Sequence, residues 1–265
     1  VLDVESADLN GFELKNKSGE LTAKKNGTDW QIEKPQFAAG DTGSIDSLLS
    51  QITSAKMTQV VSETPRDLGK YGLDHPEITF RGHDGKGQEH TLLVGKKIDD
   101  DYYAHDAARP MIFRVKDELH KKMGETFADL RDKAIAHLDR DKLKRVEIHN
   151  QNQTFVAEQG AGNKWTAVEP SDRKGKGVES WKFLDPIDNT HAQEILDSPP
   201  GNIIEKLAKP AVEVTITDQS GKTTKISVSA AVGDSAYVRT SAGPTVYKVD
   251  KKFLDDLNFK AADLF

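Results

Sequence analysis

Short alternating runs separated by turn residues open the chain. Apolar and polar residues alternate at 12–14, 21–23 and 30–32, which is the period of a half-buried β-strand. The Asn26-Gly27 pair lies between the second and third runs, and such a pair between alternating runs is a strong hairpin signal. The pattern therefore predicts three short strands joined by tight turns.

A helical spacing follows. Apolar residues recur every three or four positions through residues 45–52, as on one face of an α-helix. Asp41, Thr42 or Ser44 can serve as the N-cap, because their side-chain oxygens accept hydrogen bonds from the first free N–H groups. A helix is predicted here.

The rest of the first half of the chain shows strand-like and helix-like apolar spacings in turn. Residues 60–61 predict a short strand, and residues 66–73 predict one or two helical turns that end at Gly72. Residues 77–84 and 89–94 predict a hairpin whose loop is residues 85–88. Two further strands and a helical stretch are predicted at 102–105, 112–115 and 119–130.

From residue 140 the same order of landmarks returns. Trp165 echoes Trp30 and Pro170 echoes Pro35, each 135 residues later. Seven more pairs share an offset of 134 or 135: Phe12/Val146, Leu14/Ile148, Pro76/Pro210, Tyr102/Tyr237, Phe113/Tyr247, Val115/Val249 and Leu130/Leu264. A period of this length indicates a duplicated domain and not a solenoid.

The duplication predicts the architecture. We expect an α+β fold of two tandem repeats, residues 1–139 and 140–265. Because the strands are joined by short hairpins, each repeat should contain an antiparallel sheet, with helices packed on one face.

Composition narrows the function classes. The chain has 265 residues and a net charge of −6, with 36% hydrophobic and 30% charged residues. Residues 1–139 hold 19 basic and 25 acidic residues, and residues 140–265 hold 18 of each, so general nucleic-acid binding is disfavoured. The absence of cysteine excludes disulfides, thiolate catalysis and cysteine-type zinc sites.

The chain carries no apolar run long enough to span a bilayer. It begins with Val1, so either a leader or membrane anchor was removed or the sequence was trimmed, and both alternatives stay open.

Two segments resemble a known family. One is residues 30–35 (Trp-Gln-Ile-Glu-Lys-Pro) with Asp41 and residues 45–49, and the other is residues 67–76, which contain the specific Tyr71-Gly72-Leu73 run before a proline. The Leu93-Val94-Gly95 step fits as well. The chain is thereby similar, over nearly its whole length, to the bacterial "domain of unknown function 4340" family.

The resemblance implies a location and a kind of partner. Such proteins look like envelope proteins with one N-terminal membrane anchor and a large external part, and some are associated with ABC-transporter or gliding-motility components. The resemblance implies no catalytic residues. In the second repeat, residues 203–208 are only a weak counterpart of the Tyr71-Gly72-Leu73 run.

One tetrad matches a catalytic signature. Residues 41–44 read Asp-Thr-Gly-Ser, as in aspartic proteases, but that chemistry needs two such loops sharing a proton. The second repeat has residues 177–180, Gly-Val-Glu-Ser, at the equivalent place. A helix N-cap is therefore the preferred interpretation of Asp41.

Two histidines are the candidate metal ligands. With a loop at 85–88, His83 and His90 would face each other across the hairpin, but a metal needs further ligands. We therefore predict solvated surface there and no metal site. The cluster of residues 99–101, three aspartates, lacks the alternating ligands and glycine of a calcium loop and predicts a hairpin tip.

The second repeat has a basic loop at residues 171–177. It lacks the spacing of a phosphate-binding loop, so a mobile insertion is the preferred interpretation, with an acidic partner as the alternative. Trp30 and Trp165 are predicted core anchors under the sheets, with a carbohydrate platform as the alternative.

Three functional hypotheses follow. The preferred one is a non-enzymatic cell-envelope protein, on the periplasmic or extracellular side, that is a scaffold or accessory subunit of an ABC-transporter-like membrane complex. No catalytic residue and no cofactor are predicted, and the partners expected are components of that complex and not nucleic acid. The alternative is a module that binds glycan or peptide in the groove between the repeats. A hydrolase that uses scattered Asp, His and Ser residues is the weakest hypothesis.

Overall fold

The computed structural model describes residues 1–265, which form two compact units, Val1–Asp132 and Lys133–Phe265. The predicted border lay a few residues later, between 139 and 140. The intervening segment packs with the second unit, because Ile135 is buried in that unit's core and the Leu138 N–H donates to Asp188 at 3.2 Å.

The first unit is built on one antiparallel sheet of nine strands in the order β4-β3-β2-β1-β6-β7-β8-β9-β5. The strands are β1 (Leu9–Asn16), β2 (Gly19–Asn26), β3 (Asp29–Lys34), β4 (Ala38–Gly40), β5 (Gln59–Ser62), β6 (Ile78–Asp84), β7 (Glu89–Ile98), β8 (Asp101–Asp106) and β9 (Ile112–Lys116). Its helices are α1 (Thr42–Ser54), α2 (Asp117–Met123) and α3 (Phe127–Leu130), with 3-10 turns at Ser6–Asp8 and Gly69–Tyr71.

The second unit repeats this sheet strand for strand in the order β13-β12-β11-β10-β15-β16-β17-β18-β14. The strands are β10 (Leu143–His149), β11 (Thr154–Gln159), β12 (Trp165–Glu169), β13 (Gly177–Val178), β14 (Glu194–Leu196), β15 (Val212–Asp218), β16 (Thr223–Val228), β17 (Ser235–Thr240) and β18 (Val246–Asp250). Its helices are α4 (Trp181–Asn189), α5 (Gly201–Leu207) and α6 (Lys251–Leu257), with 3-10 turns at Arg140–Lys142, Ala161–Asn163, Ser171–Arg173 and Ala261–Leu264. The predicted α+β duplication is confirmed.

One face of each sheet carries the main core. Alternate strand residues pack against α1, α2 and α3 in the first unit and against α4 and α6 in the second. Helix α1 begins as predicted, because the Asp41 carboxylate accepts the Ser44 N–H at 2.7 Å. No helix combines the length and the apolar composition that crossing a membrane requires.

A smaller contact lies on the opposite face. Ile203 and Leu207 of α5 pack with Val246 and Tyr237, and Tyr237 points away from the main core because it alternates with the core residues Ala236 and Val238. The helices therefore lie mainly on one face, and α5 extends the apolar contacts to the other.

Two details differ from the predicted elements. Strand β4 was not predicted; it pairs with β3 through Trp30 and Gly40. The predicted helical stretch 119–130 is interrupted after Met123 at Gly124, and Thr126 is the N-cap of α3, with a capping box to Asp129. The apolar spacing continued across this break because both helices bury residues in the same core.

Candidate functional site

A cleft in the first unit lies beside α2 and strand β8. Its volume is about 440 Å³, and its walls include Tyr102, His120, Glu77 and Asp117. This volume is within the range of small-ligand sites. We call this site the Tyr102–His120 cleft.

A stacked aromatic pair lines the cleft. The rings of Tyr102, on β8, and His120, on α2, lie 3.8 Å apart and within 8° of parallel. The His120 Nε2 atom is 3.3 Å from a carboxylate oxygen of Glu77, and the Lys97 ammonium lies 5.8 Å from the tyrosine ring centre. The histidine is thus held by stacking on one side and by a polar contact at its edge.

The rim is charged. Asp117 and Lys121 form an ion pair of 2.6 Å one turn apart on α2. The hydrogen bond from Lys121 lowers the pKa of Asp117 and, reciprocally, raises the pKa of Lys121. Lys17 adds a second ammonium, so the rim offers both donors and acceptors.

An asparagine fixes the end of α2 next to the cleft. The Asn16 side-chain amide donates to the carbonyls of Met123 and Glu125 at 3.0 and 2.9 Å, and its oxygen accepts the Ser18 N–H at 2.8 Å. A helix end leaves its last carbonyls without helical partners. Asn16 satisfies two carbonyls there and ties α2 to the β1–β2 hairpin.

The second unit keeps this framework. Asn150 donates to the carbonyls of Leu257 and Phe259 at 3.0 and 2.9 Å. All three residues lie 134 positions after Asn16, Met123 and Glu125.

The second unit lacks the polar residues of this cleft. Ala236 takes the place of Tyr102, because it pairs with Val249 as Tyr102 pairs with Val115. Leu254 is the fourth residue of α6, as His120 is of α2, and Ala211 directly precedes β15, as Glu77 precedes β6. Three apolar side chains thus replace the stacked pair and its carboxylate.

These registers correct one predicted pair of landmarks. Tyr237 pairs with Lys248, as Tyr103 pairs with Arg114, so the counterpart of Tyr237 is Tyr103 and not Tyr102. Because Tyr102 and Tyr103 are adjacent, the sequence alone did not show that Tyr237 matches Tyr103 at an offset of 134 and not Tyr102 at an offset of 135.

The predicted pairing of His83 with His90 was wrong. His83 faces Glu89 and His90 faces Gly82, so the two imidazoles lie on opposite faces of the sheet. The loop has three residues instead of four, because the Asp84 N–H donates to the Gln88 carbonyl at 3.1 Å, and a register change of one residue moves every side chain to the other face.

The two histidines therefore belong to separate contacts. His83 lies 3.8 Å from Glu13, and His90 lies 3.4 Å from the buried Asp84. No group of three or more His, Cys, Asp or Glu residues in residues 1–265 is arranged to hold a metal ion.

The aspartates of the protease-like tetrad and of the cluster at 99–101 cap a helix or form a turn. Asp41 caps α1, as predicted. Asp99 and Asp100 form a two-residue hairpin tip, since Ile98 pairs with Asp101. The predicted tip is confirmed for these two residues, whereas Asp101 is the first residue of β8. Asp101 accepts the Thr58 hydroxyl at 2.6 Å.

Trp30 and Trp165 are buried core anchors, as predicted. The Trp30 indole N–H donates to Asp46 at 2.9 Å, and Trp165 packs edge-on against Phe183. The basic loop at 171–177 forms a 3-10 turn and the start of β13.

The Tyr71-Gly72-Leu73 run packs against strand β7. Gly72 ends the 3-10 turn with a φ of +70°, a conformation that favours glycine. A Cβ on Gly95 would lie 2.4 Å from the Tyr71 carbonyl oxygen, so glycine is required there by the close approach of two backbones. The backbone conformation explains Gly72, and the close packing of two backbones explains Gly95.

His120 and Glu77 were missed as site residues. No motif contains them, and they lie 43 positions apart. A position-by-position comparison of the two repeats marks both as polar residues with apolar counterparts, because His120 aligns with Leu254 and Glu77 with Ala211 at the offset of 134.

A comparison with known families decides the relationship of the chain. The profile of the family described as "Domain of unknown function (DUF4340)" matches residues 30–202, which is more than half of the chain and crosses from the first unit into the second.

The chain belongs to this family.

No curated protein and no solved structure gives a match. The DUF4340 match confirms the resemblance drawn from the sequence.

Proposed function

We propose that this DUF4340 chain is a non-enzymatic cell-envelope protein, an accessory subunit of an ABC-transporter-like membrane complex, and that the Tyr102–His120 cleft contacts its partner. One observation carries the proposal. The two units share their sheet order and their asparagine framework, yet only the first has the polar residues Tyr102, His120 and Glu77 at these positions.

The contrast between the two units distinguishes residues that the fold requires from residues that it does not require. The second unit shows that Ala236, Leu254 and Ala211 satisfy the same fold. A polar, half-open cleft brings little hydrophobic stabilisation compared with such apolar side chains, and proteins commonly depart from the stabilising choice at functional sites.

The chemistry of the cleft suits a protein partner. Aromatic rings are enriched at protein interfaces. The His120 imidazole, stacked on the buried Tyr102 ring, lies beside donors and acceptors from Lys17 and Asp117. The cleft has room for one or two side chains of a partner segment. The envelope location rests on the family resemblance.

Site-specific photo-crosslinking in the native bacterium tests this proposal. A photoreactive residue replaces Lys17 at the rim of the cleft or, as matched control, Gln151 at the same place in the second unit. Lys17 should crosslink to an integral-membrane component of a transport complex, identified by mass spectrometry, and Gln151 should not.

His120→Leu introduces the residue of the second unit. It should reduce the crosslink yield at Lys17 by about fivefold or more, equivalent to about 1 kcal/mol, with a Tm no lower than that of the wild type. Equal yields from Lys17 and Gln151, or crosslinks to cytosolic proteins alone, would contradict the proposal.

A further inference from the structure

An exposed tryptophan lies on the second unit, outside the cleft described above. Trp181, the first residue of α4, is 56% exposed, whereas Trp30 and Trp165 are 2% and 4% exposed. The first unit has no aromatic residue there. Gly43 is the residue equivalent to Trp181. The N–H groups of Asp41 and Glu179 donate to the equivalent carbonyls of Leu130 and Leu264, and Gly43 and Trp181 each lie two residues further along the chain.

A second cleft adjoins this ring. It has a volume of about 460 Å³ and is lined by Trp181, Pro186 and Asn189 of α4 and by Lys252 and Asp256 of α6. The indole and the proline ring supply apolar surface next to polar side chains on both helices. We call this site the Trp181 cleft.

Helix α4 forms one wall of the cleft. Pro186 lies inside α4 and has no N–H, so it cannot donate to the Lys182 carbonyl four residues earlier. Lys182 lines the same cleft. Asn189 offers an exposed amide with two donor hydrogens and an acceptor oxygen.

The charges of the cleft already have partners. Asp185 pairs with Arg140 at 2.7 Å, Lys182 pairs with Glu179 at 2.7 Å, and Lys252 pairs with Asp256. The lining has two ammonium and two carboxylate groups, so neither an anionic nor a cationic ligand is favoured. The Lys182 ammonium also lies 5.6 Å from the Trp181 ring centre, where a cationic ligand would otherwise bind.

A neutral molecule with apolar C–H faces and many hydroxyl groups matches these features. The C–H groups of a sugar carry partial positive charge and pack on the negative face of an aromatic ring. Its hydroxyls can bond to the Asn189 amide and to the Asp185 and Asp256 carboxylates.

We propose that the Trp181 cleft binds a neutral oligosaccharide, which stacks on Trp181 and bonds to polar groups of α4 and α6. This site is independent of the Tyr102–His120 cleft.

Saturation-transfer NMR with two neutral probes, maltotriose and the trisaccharide of N-acetylglucosamine, tests the proposal on the full chain. At least one should bind saturably, with a Kd of about 1 mM or tighter. Trp181→Ala should weaken binding at least about tenfold, or 1.4 kcal/mol, and Trp181→Phe should retain most of it. Phe37→Ala removes another exposed aromatic, 72% exposed, and should leave binding unchanged.

Three results would overturn the proposal. One is no saturable binding of either trisaccharide up to about 10 mM, where even a weak site with a Kd near 1 mM would be filled. Another is equal binding by wild type and Trp181→Ala. The third is Trp181-dependent binding of tetramethylammonium without binding of either saccharide. Circular dichroism of each variant verifies that the fold is kept.

Discussion

The two units have the same sheet order but place their largest core side chains differently. In the first, Phe12 of β1 contacts Trp30 and Phe80, with ring centres 5.7 and 6.1 Å apart. In the second, Val146 takes the position of Phe12, and Phe155 of β11 contacts Phe183 and Phe259.

This difference shows which features of the core the strand order requires and which can vary. Interiors are close-packed, so volume lost at one position must be supplied at another. In the first unit the bulky residue lies on the first strand, β1, and in the second unit it lies on the second strand, β11. Leu21 of β2 is the first unit's equivalent of Phe155. The strand order depends on an apolar face of the right total volume more than on any one side chain.

The largest effect should come from removing a core aromatic. Phe12→Ala should lower the free energy of unfolding by about 3–5 kcal/mol, and Phe155→Ala should cost as much. Val146→Ala, at the position of Phe12, should cost less because it removes fewer buried carbons. Urea titrations measure all three, and a larger loss for Val146→Ala than for Phe12→Ala would break the comparison.

The asparagine framework should be equally important in both units. Asn16→Ala and Asn150→Ala each leave two helix-end carbonyls without their donor and should each cost about 1–3 kcal/mol. Asn16→Asp should be no better, because a carboxylate cannot donate. Thermal unfolding of the pair measures the costs, and an effect confined to one unit would show that only one asparagine is structural.

The repeated hairpin glycines should give a smaller effect. Gly87 and Gly221 adopt φ values of +79° and +86°, and alanine there should cost about 1 kcal/mol each. Alanine at Gly177, whose φ is not positive, is the matched control. If Gly87→Ala and Gly221→Ala unfold at the same urea concentration as wild type, these two turns do not require glycine.

The smallest effect concerns pH. The pKa of Asp84 is lowered by the Gln88 backbone hydrogen bond and by His90, and the pKa of Asp218 is lowered by the Ser220 hydroxyl. A carboxyl with a lowered folded-state pKa stabilises above its unfolded pKa, and this contribution is lost as pH falls through the folded-state value.

Asp84→Asn and Asp218→Asn should therefore be less stable than wild type at neutral pH, and the differences should shrink below about pH 4. Urea titrations at a series of pH values measure this. A difference that stays constant down to acid pH would assign the effect to the shape of the turn instead of its charge.

Much of the fold was predictable because it depends on local signals. Turn pairs such as Asn26-Gly27 and the alternation of apolar residues are short-range features, and the duplicated landmarks showed that the same elements recur. The hairpin of His83 and His90 shows where local reasoning failed. Loops of three and four residues have similar sequences, but the choice between them decides which face each histidine occupies.

The site was less predictable because its parts come from distant segments. Tyr102, His120 and Glu77 meet only because β8, α2 and the start of β6 pack together. Trp181 was not identified as exposed, since its sequence neighbours resemble those of any amphipathic helix start.

The sequence by itself determined that this chain is a duplicated α+β protein of a particular family, because periodicity and repeated landmarks persist along the chain. Only the tertiary structure decided which tryptophan is exposed, which histidines share a face and where the Tyr102–His120 cleft lies. Those properties depend on strand register and on contacts between residues far apart in sequence, which no local pattern specifies.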